Sequence, residues 1–471
     1  MSNSFPSGFC LKSRKKHDTS GCSGGSTRAR SIKDTLAEII PICTKIGVTR
    51  ISDISFMDKL YVPNYSVILP GTDDIIWVYG GKGITKSHAM ASALMESIER
   101  YSSLSSNYAG SFIQGSYLQL SRSYNKILHH AEVVEPVYQD YDDKTDIMDF
   151  LPGFDLSTNE EVLVPAEIAL YRHSPKHPAT SAFSKFHTNG LASGNVLEEA
   201  ICHGFCEVIE RDAVSIADLC ASSIPYNILE TMIDSLKKKE RYGYLLTKIT
   251  VENTFVDDSS IFPEVDISEI AEEFEPIKRL VKRFADSHVP LLIKDITQKD
   301  IGIPTILASS AEWITHDYGY FAKGYGAHPD ARIALIRAIT ELSQTRAVNI
   351  QGARDDLKKI QYKENDEIQK RKWQFMPALS SSTGQMNRTK KIIEFSKITT
   401  HLNEDIRDDI KLILHSLKKV RLKRAVIVDL TNPNIRMPVI RAIVPGLETF
   451  EVTNSVMGNR AREYFKSVQQ A

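Results

Sequence analysis

No apolar run in the sequence approaches the roughly 20 residues that cross a bilayer. Its first residues also lack the apolar core of a secretion signal. A cytoplasmic protein without membrane contact is the expectation. Net charge is nearly absent as well: 58 Lys and Arg face 59 Asp and Glu, a formal charge of -1. No global field therefore draws the chain to nucleic acid or an anionic surface, and charged ligands must be met locally. Cysteine is scarce. The six thiols (Cys10, Cys22, Cys43, Cys202, Cys206, Cys220) have neither the density nor the regular pairing of a secreted disulfide scaffold, and are read as mostly reduced. The usual nucleotide motifs are missing too. Gly80 to Ser87 has Thr85 where a P-loop needs its second glycine, no kinase motif set appears, and Gly324-Tyr-Gly326 is too little for a dinucleotide fold.

The chain does have the means to bury a large core, with 471 residues, 42% of them hydrophobic and 25% charged. Residues 1–26 carry Ser, Gly, Lys and two cysteines without apolar periodicity, and predict a mobile tail. From Thr27 the pattern changes. A helix-like run from Ile32 to Lys45 is followed by β-branched stretches (Val67 to Leu69, Ile75 to Val78), the mark of an α+β fold with mixed sheets. Residues 353–420 are dense in Lys, Glu and Asp around Ser380 to Gly384, and read as a charged helical insertion with a solvated face. Strand-like sequence returns at Ala425 to Leu430 and Pro438 to Val444.

An internal repeat is the most informative feature. Glu96-Ser-Ile-Glu99-Arg100 recurs as Glu207-Val-Ile-Glu210-Arg211, with a weaker third copy at Glu341 to Arg346. Each copy follows a glycine-rich segment (Gly80 to Gly83, Asn189 to Gly194, Lys323 to Gly326), read as a turn that could offer backbone N–H groups to phosphate. At 100° per residue, Asn195, Glu199, Glu207 and Glu210 fall on one face, opposite Ile201, Phe205 and Val208. Ser92, Glu96, Glu99, Arg100 and Ser103 do the same opposite Ala91, Leu94, Ile98 and Tyr101. Either stripe alone would be a solvated face. Two facing stripes with few lysines between them would repel unless protons or cations intervene, and hard oxygen ligands suit Mg²⁺ bridged to phosphates. Cys202 and Cys206 are read as packing, His203 as a supporting hydrogen bond, and His173, His177 and His187 as exposed loop histidines.

Gly80 to Ser102, with Asn189 to Asn195 and Glu207 to Asp212, strongly resembles the YcaO family. The resemblance runs from Thr27-Arg28 through Arg337 to Arg346 and on to Val444-Pro-Gly-Leu-Glu448, which implies one catalytic domain over 27–471. It implies ATP-dependent activation of a peptide amide: a nucleophile adds to the carbonyl, the amide oxygen is phosphorylated, and phosphate leaves. Carried onto these residues, Glu96, Glu99, Glu199, Glu207 and Glu210 would serve Mg²⁺, with Glu99 and Glu207 also catalytic. Arg28, Thr35, Arg100, Ala192, Ser193, Gly194, Asn195 and Arg211 would contact ATP. Arg337 or Arg346 would supply the basic group at the γ-phosphate.

The last residues, Lys466 to Ala471, lack the proline-rich terminus of azoline-forming relatives, and no fused leader-binding domain is visible. The resemblance is therefore to archaeal members that act with a TfuA partner and an external sulfide to install thioglycine in methyl-coenzyme M reductase. Azoline formation on a ribosomal peptide, a non-catalytic nucleotide-binding scaffold and a plain ATPase are the alternatives. The family resemblance also suggests a homodimer.

Overall fold

The structure, a computed structural model, describes residues 9–17, 27–72, 77–134, 141–173, 187–221, 262–311, 321–351, 389, 391–449 and 458–469. Fourteen strands are named among them. The first eight are β1 (Arg50–Asp53), β2 (Asn64–Ile68), β3 (Val78–Lys82), β4 (Ile113–Gly115), β5 (Met148–Asp155), β6 (Glu160–Pro165), β7 (Leu191–Ser193) and β8 (Glu264–Asp266). There follow β9 (Leu292–Asp295), β10 (Thr305–Ala311), β11 (Phe321–Ala327), β12 (Ile392–Glu394), β13 (Val426–Asp429) and β14 (Val439–Ile443). The longer helices are α1 (Ile32–Ile46), α2 (Lys86–Ser102), α3 (Leu197–Ala221), α4 (Glu275–Asp286), α5 (Ala331–Gln351), α6 (Ile406–Lys419) and α7 (Asn459–Gln469).

The strands form three sheets, which makes the fold the mixed α+β arrangement expected. One holds β1-β2-β3, a second β11-β10-β9-β8-β12, and a third β4-β5-β13-β14-β7 with β6 paired to β5. Nearly all pairings are antiparallel, β12 with β8 being parallel. Each sheet is covered by helices on its apolar side. α1 shows how: Ser31 caps its first turn by accepting from Asp34 N, Thr35, Ile39, Cys43 and Ile46 form one buried stripe, and Gly47 ends it at φ 100°.

The repeat is structural. Each copy is a strand followed by a helix: β3 to α2, β7 to α3, β11 to α5. Of the glycines expected to form phosphate-facing turns, Gly80, Gly81, Gly324 and Gly326 lie instead inside strands β3 and β11. They are needed there because strand and helix backbones touch. A Cβ on Gly81 would sit 2.1 Å from Ala93 N, and one on Gly324 2.0 Å from Leu342 N. Only glycine permits that approach.

Two boundaries drawn from composition move. Within the supposed tail, residues 9–17 are docked: Phe9 packs edge-on to Phe154 with ring centres 5.2 Å apart, and Lys15 bridges to Asp405. Composition hid this because most of the anchoring uses backbone and charged groups. Within the supposed insertion, residues 352–388 lie outside the described residues, but β12 joins a sheet, and α6 buries Ile406, Ile410, Ile413 and Leu417. Its lysines and Asp408 decorate the outer face of a core helix, while Asp409 is buried with the apolar stripe.

α3 is held at several points along its length. Asp212, fully buried, accepts from Glu448 N at 2.9 Å and from Arg460 Nε and Nη2 at 3.0 and 2.9 Å. Arg460, on α7, also reaches Asp300 at 2.7 Å. Among the described residues no helix is long and apolar enough to cross a membrane.

Candidate active site

A cavity of about 640 Å³ opens where the three strand–helix units meet the start of α1. α2 contributes Ser92, Glu96, Glu99 and Arg100, α3 contributes Glu199, His203, Glu207, Glu210 and Arg211, and α5 contributes Arg337, Glu341 and Gln344. The helical spacing of three and four residues puts each set on one face, so acidic side chains from all three copies point into one space.

Hydrogen bonds fix these carboxylates. Glu99 accepts from Ser193 N at 3.0 Å and Ser193 Oγ at 2.7 Å, tying α2 to β7. Glu210 accepts from Ala327 N at 3.1 Å, and Glu341 from Tyr325 N at 3.2 Å and from Lys82. Glu199 is the most heavily bonded. It accepts from Asn195 N at 2.8 Å, Asn195 Nδ2 at 3.0 Å and Ala29 N, with Arg28 Nη1 3.6 Å away. Thr35 Oγ1 in turn donates to Asn195 Oδ1 at 2.8 Å. Glu199 thus organises the loop around it while still facing the cavity.

Crowding of like charge shows in proton affinity. Burial, then the neighbouring Glu96, pushes Glu99 up to about 8, and burial with Glu341 pushes Glu210 up to about 7. Burial also raises Glu207 against the pull of Arg211, Arg441 and Arg100. Burial works on Glu341 in the same direction, but Lys82 and Arg211 outweigh it and hold that carboxyl low. The Arg211 guanidinium is kept firmly charged, since the carboxylates around it outweigh burial. Burial and then the cations Arg337, Arg28 and Lys82 drive His203 well below its ordinary value, so it is a neutral imidazole, and among the described residues its buried Nδ1 has no hydrogen-bond partner. A site that holds carboxylates protonated near neutrality, beside guanidinium groups, fits a divalent cation bridged to phosphates. Its carboxylates are the hard oxygen donors such a cation takes.

Of the expected residues, Arg28, Thr35, Glu96, Glu99, Arg100, Ser193, Asn195, Glu199, Glu207, Glu210, Arg211 and Arg337 line the cavity. Ala192 does not: strand alternation on β7 turns it into the core opposite Ile440. Gly194 does not either, and its lack of a side chain lets β7 close on α3, where a Cβ would be 2.6 Å from Ala200 N. Arg346 is buried away from the cavity, bonded to Asp58. That leaves Arg337 as the late arginine that faces the site. His173, expected to be exposed, is buried between Asp149 Oδ2 at 2.9 Å and Ser105 Oγ at 2.8 Å. His187 meets Arg441, and His177 lies outside the described residues. Among the described cysteines, Cys10, Cys43, Cys202 and Cys206 are free thiols, the last three buried, Cys202 and Cys206 on α3 itself. Glu341 and Lys82 were missed. The third copy of the repeat was their signal, since Glu341 stands in it where Glu96 stands in the first.

The fold and the cavity define a nucleotide-binding enzyme whose acidic site is built from a threefold strand–helix repeat. The YcaO cyclodehydratase family model, described as ATP- and Mg²⁺-binding, matches residues 80–256 and 259–448, and the chain belongs to that family. ATP and Mg²⁺ are accordingly its cofactors, and ATP-dependent activation of peptide amides its chemistry. A protein of Methanothermobacter thermautotrophicus is 30% identical over 421 residues, 88% of this chain and 94% of that one. A Rhizobium leguminosarum bv. trifolii protein, described by its position in the tfuA 3′ region, is 27% identical over 438 residues, 92% and 91% of the two chains. The solved structure of YcaO from Methanopyrus kandleri bound with AMPPCP and Mg²⁺ shares the fold, with a TM-score of 0.62 at 20% identity over 92% of this chain and 95% of that one. A heterocyclase in complex with substrate and cofactor shares it at a TM-score of 0.63 and 20% identity, over 93% of this chain and 54% of the heterocyclase.

Proposed function

We propose that this protein exchanges the oxygen of a peptide backbone amide for sulfur, using external sulfide, with a glycine of methyl-coenzyme M reductase as the target and a TfuA-type protein as partner. The observation that carries the finer reading is the relative from the tfuA 3′ region, which aligns along almost the whole chain.

The site's chemistry suits such an exchange. An amide oxygen is a poor leaving group until phosphorylated, and phosphoryl transfer depends on positioning and charge neutralisation. Bound ATP and Mg²⁺ supply the phosphoryl group and part of that neutralisation. Glu96, Glu99, Glu207, Glu210 and Glu341 would hold the metal, with Glu199 fixing the loop beside it, while Arg211 and Arg337 flank the phosphates. Hydrosulfide forms the new bond to the carbonyl carbon, the amide oxygen takes the γ-phosphoryl group as ADP leaves, and the C–O bond then breaks as phosphate departs and the sulfur loses its proton to solvent to form C=S. Among the described residues no cysteine lines the cavity, which accords with sulfur brought from outside.

Mass spectrometry tests this directly, on a methyl-coenzyme M reductase peptide incubated with the protein, ATP, Mg²⁺, sulfide and a TfuA-type partner. The expected result is a gain of about 16 Da at glycine, sulfur for oxygen, that needs both ATP and sulfide. Loss of water at Cys, Ser or Thr would replace thioamidation by azoline formation. ADP release without a modified peptide would leave an ATPase, and nucleotide binding without ADP release a scaffold.

A further inference from the structure

α3 carries two adjacent glutamates with different duties. Glu199 faces the nucleotide cavity and holds Ala29 N and Arg28. Glu198, 3% exposed, faces away and holds the segment 9–17: it accepts from Lys12 N at 2.9 Å and from Arg14 Nε at 3.2 Å. The segment runs on along the start of α6, where Arg14 N donates to Asp405 Oδ1 at 2.9 Å and Ile406 N to Arg14 O at 2.9 Å. It then returns to the cavity, because His17 N donates to Arg28 O at 2.7 Å.

Between those contacts Lys16 is driven into the protein. Its side chain is 5% exposed, with Nζ 2.6 Å from Asp409 Oδ2 and 2.8 Å from Asn403 O. Asp409 belongs to a buried group with Cys202 and His328 whose ligand atoms lie within 4.8 Å of one another, residue types that can hold a transition metal. The geometry speaks for the lysine instead. His328 Nδ1 accepts from Asp330 N at 2.9 Å, so the neutral ring keeps its proton on the Nε2 that faces Asp409, and the ammonium already occupies the carboxylate. Lys16 is the cation this pocket takes. A buried carboxylate left without it would be costly, which gives the segment a firm anchor despite its polar composition.

We propose that residues 9–17 are a positioning strap of the nucleotide site, locked by Lys16 in the Asp409 pocket and acting through Arg28. The strap fixes the Arg28 main chain from one side while Glu199 fixes it from the other, so the guanidinium meets ATP without first being ordered. The inference rests on the reading that Arg28 faces the nucleotide.

The test is ATP affinity of the full-length protein, by calorimetry with Mg²⁺, for Lys16→Met, Arg28→Ala and the pair. Lys16→Met should weaken ATP binding about tenfold, the scale of one lost charge-assisted contact, with kcat at saturating ATP little changed. In the Arg28→Ala background the same substitution should have little further effect. Should Lys16→Met fail to fold, Lys16→Met with Asp409→Asn removes both buried charges and must show the same loss of affinity. Unchanged affinity in a folded Lys16 variant would overturn the strap, as would effects of Lys16→Met and Arg28→Ala that simply add. If Arg28→Ala alone left ATP binding intact, it is the placement of Arg28 at the nucleotide that would fall, and the proposal with it.

Discussion

Arg346 and Asp58 form a buried two-bond pair: Nε meets Oδ2 at 2.8 Å and Nη2 meets Oδ1 at 3.1 Å, with both side chains 2% exposed. The pair joins α5 to the loop after β1 and spends the Arg346 charge on the fold. Arg337, two and a half turns earlier on the same helix, lines the cavity and donates to Ala327 O at 3.0 Å. The two arginines should separate by experiment. Arg346→Met leaves a buried carboxylate unpaired and should cost about 3–5 kcal/mol in denaturant unfolding, with ATP affinity of the remaining folded protein unchanged. Arg337→Ala should leave the midpoint nearly in place and lower ADP release by about 100-fold or more. The reverse pattern would exchange their roles.

Glu341 is the carboxylate that ties the third repeat to the first through Lys82. Glu341→Gln keeps the shape and removes the charge, and should weaken Mg²⁺ dependence of turnover by about 10–100-fold. Lys82→Met should act in the same assay with smaller effect. A Glu341→Gln enzyme with wild-type Mg²⁺ response would remove Glu341 from the metal site.

The proton affinities set a pH dependence. Glu99 and Glu210, ordinarily near 4.5, are raised to about 8 and about 7 in the ligand-free protein. Folding therefore favours their protonated forms, a contribution fully present below about pH 4.5 and lost as pH rises through 7 and 8. Cation binding needs the ionised forms and so releases protons in that window. The gain in Tm from Mg²⁺ and ATP should widen between about pH 6 and about pH 8.5, and calorimetry in two buffers should show net proton release. Proton uptake would contradict the assignment.

Gly81 and Gly324 offer a test of the fold itself. Alanine at either places a Cβ about 2 Å from a helix backbone nitrogen, beyond what rotamer changes absorb, and should cost about 1–3 kcal/mol or more by overpacking. Gly71→Ala, with open space around it but φ at 82°, should cost less.

Much of the site was legible because the repeat writes the same acidic spacing twice, and helical geometry turns spacing into a face. Glu96, Glu99, Glu207 and Glu210 follow from that alone. The third copy was legible in outline but not in role, since Glu341 lacks the second glutamate that marks the others. Ala192 and Gly194 were misplaced for a different reason. A short strand reverses direction at every residue, and its register comes from β14, which is more than two hundred positions away. Arg346 looked like a site residue because its partner Asp58 lies 288 positions off, and long-range pairs leave no local mark. The same distance concealed residues 9–17, whose anchors are at 198, 405 and 409.

Asp212 and Arg460 are separated by 248 positions, yet the helix that carries Glu207, Glu210 and Arg211 depends on their pairing for a buried charge. A ribosome delivers that helix long before it delivers its counterion. Until then the growing chain holds an aspartate whose burial is unfavourable, together with a cluster of carboxylates that repel one another. That helix therefore gains its counterion only when the last part of the chain is made.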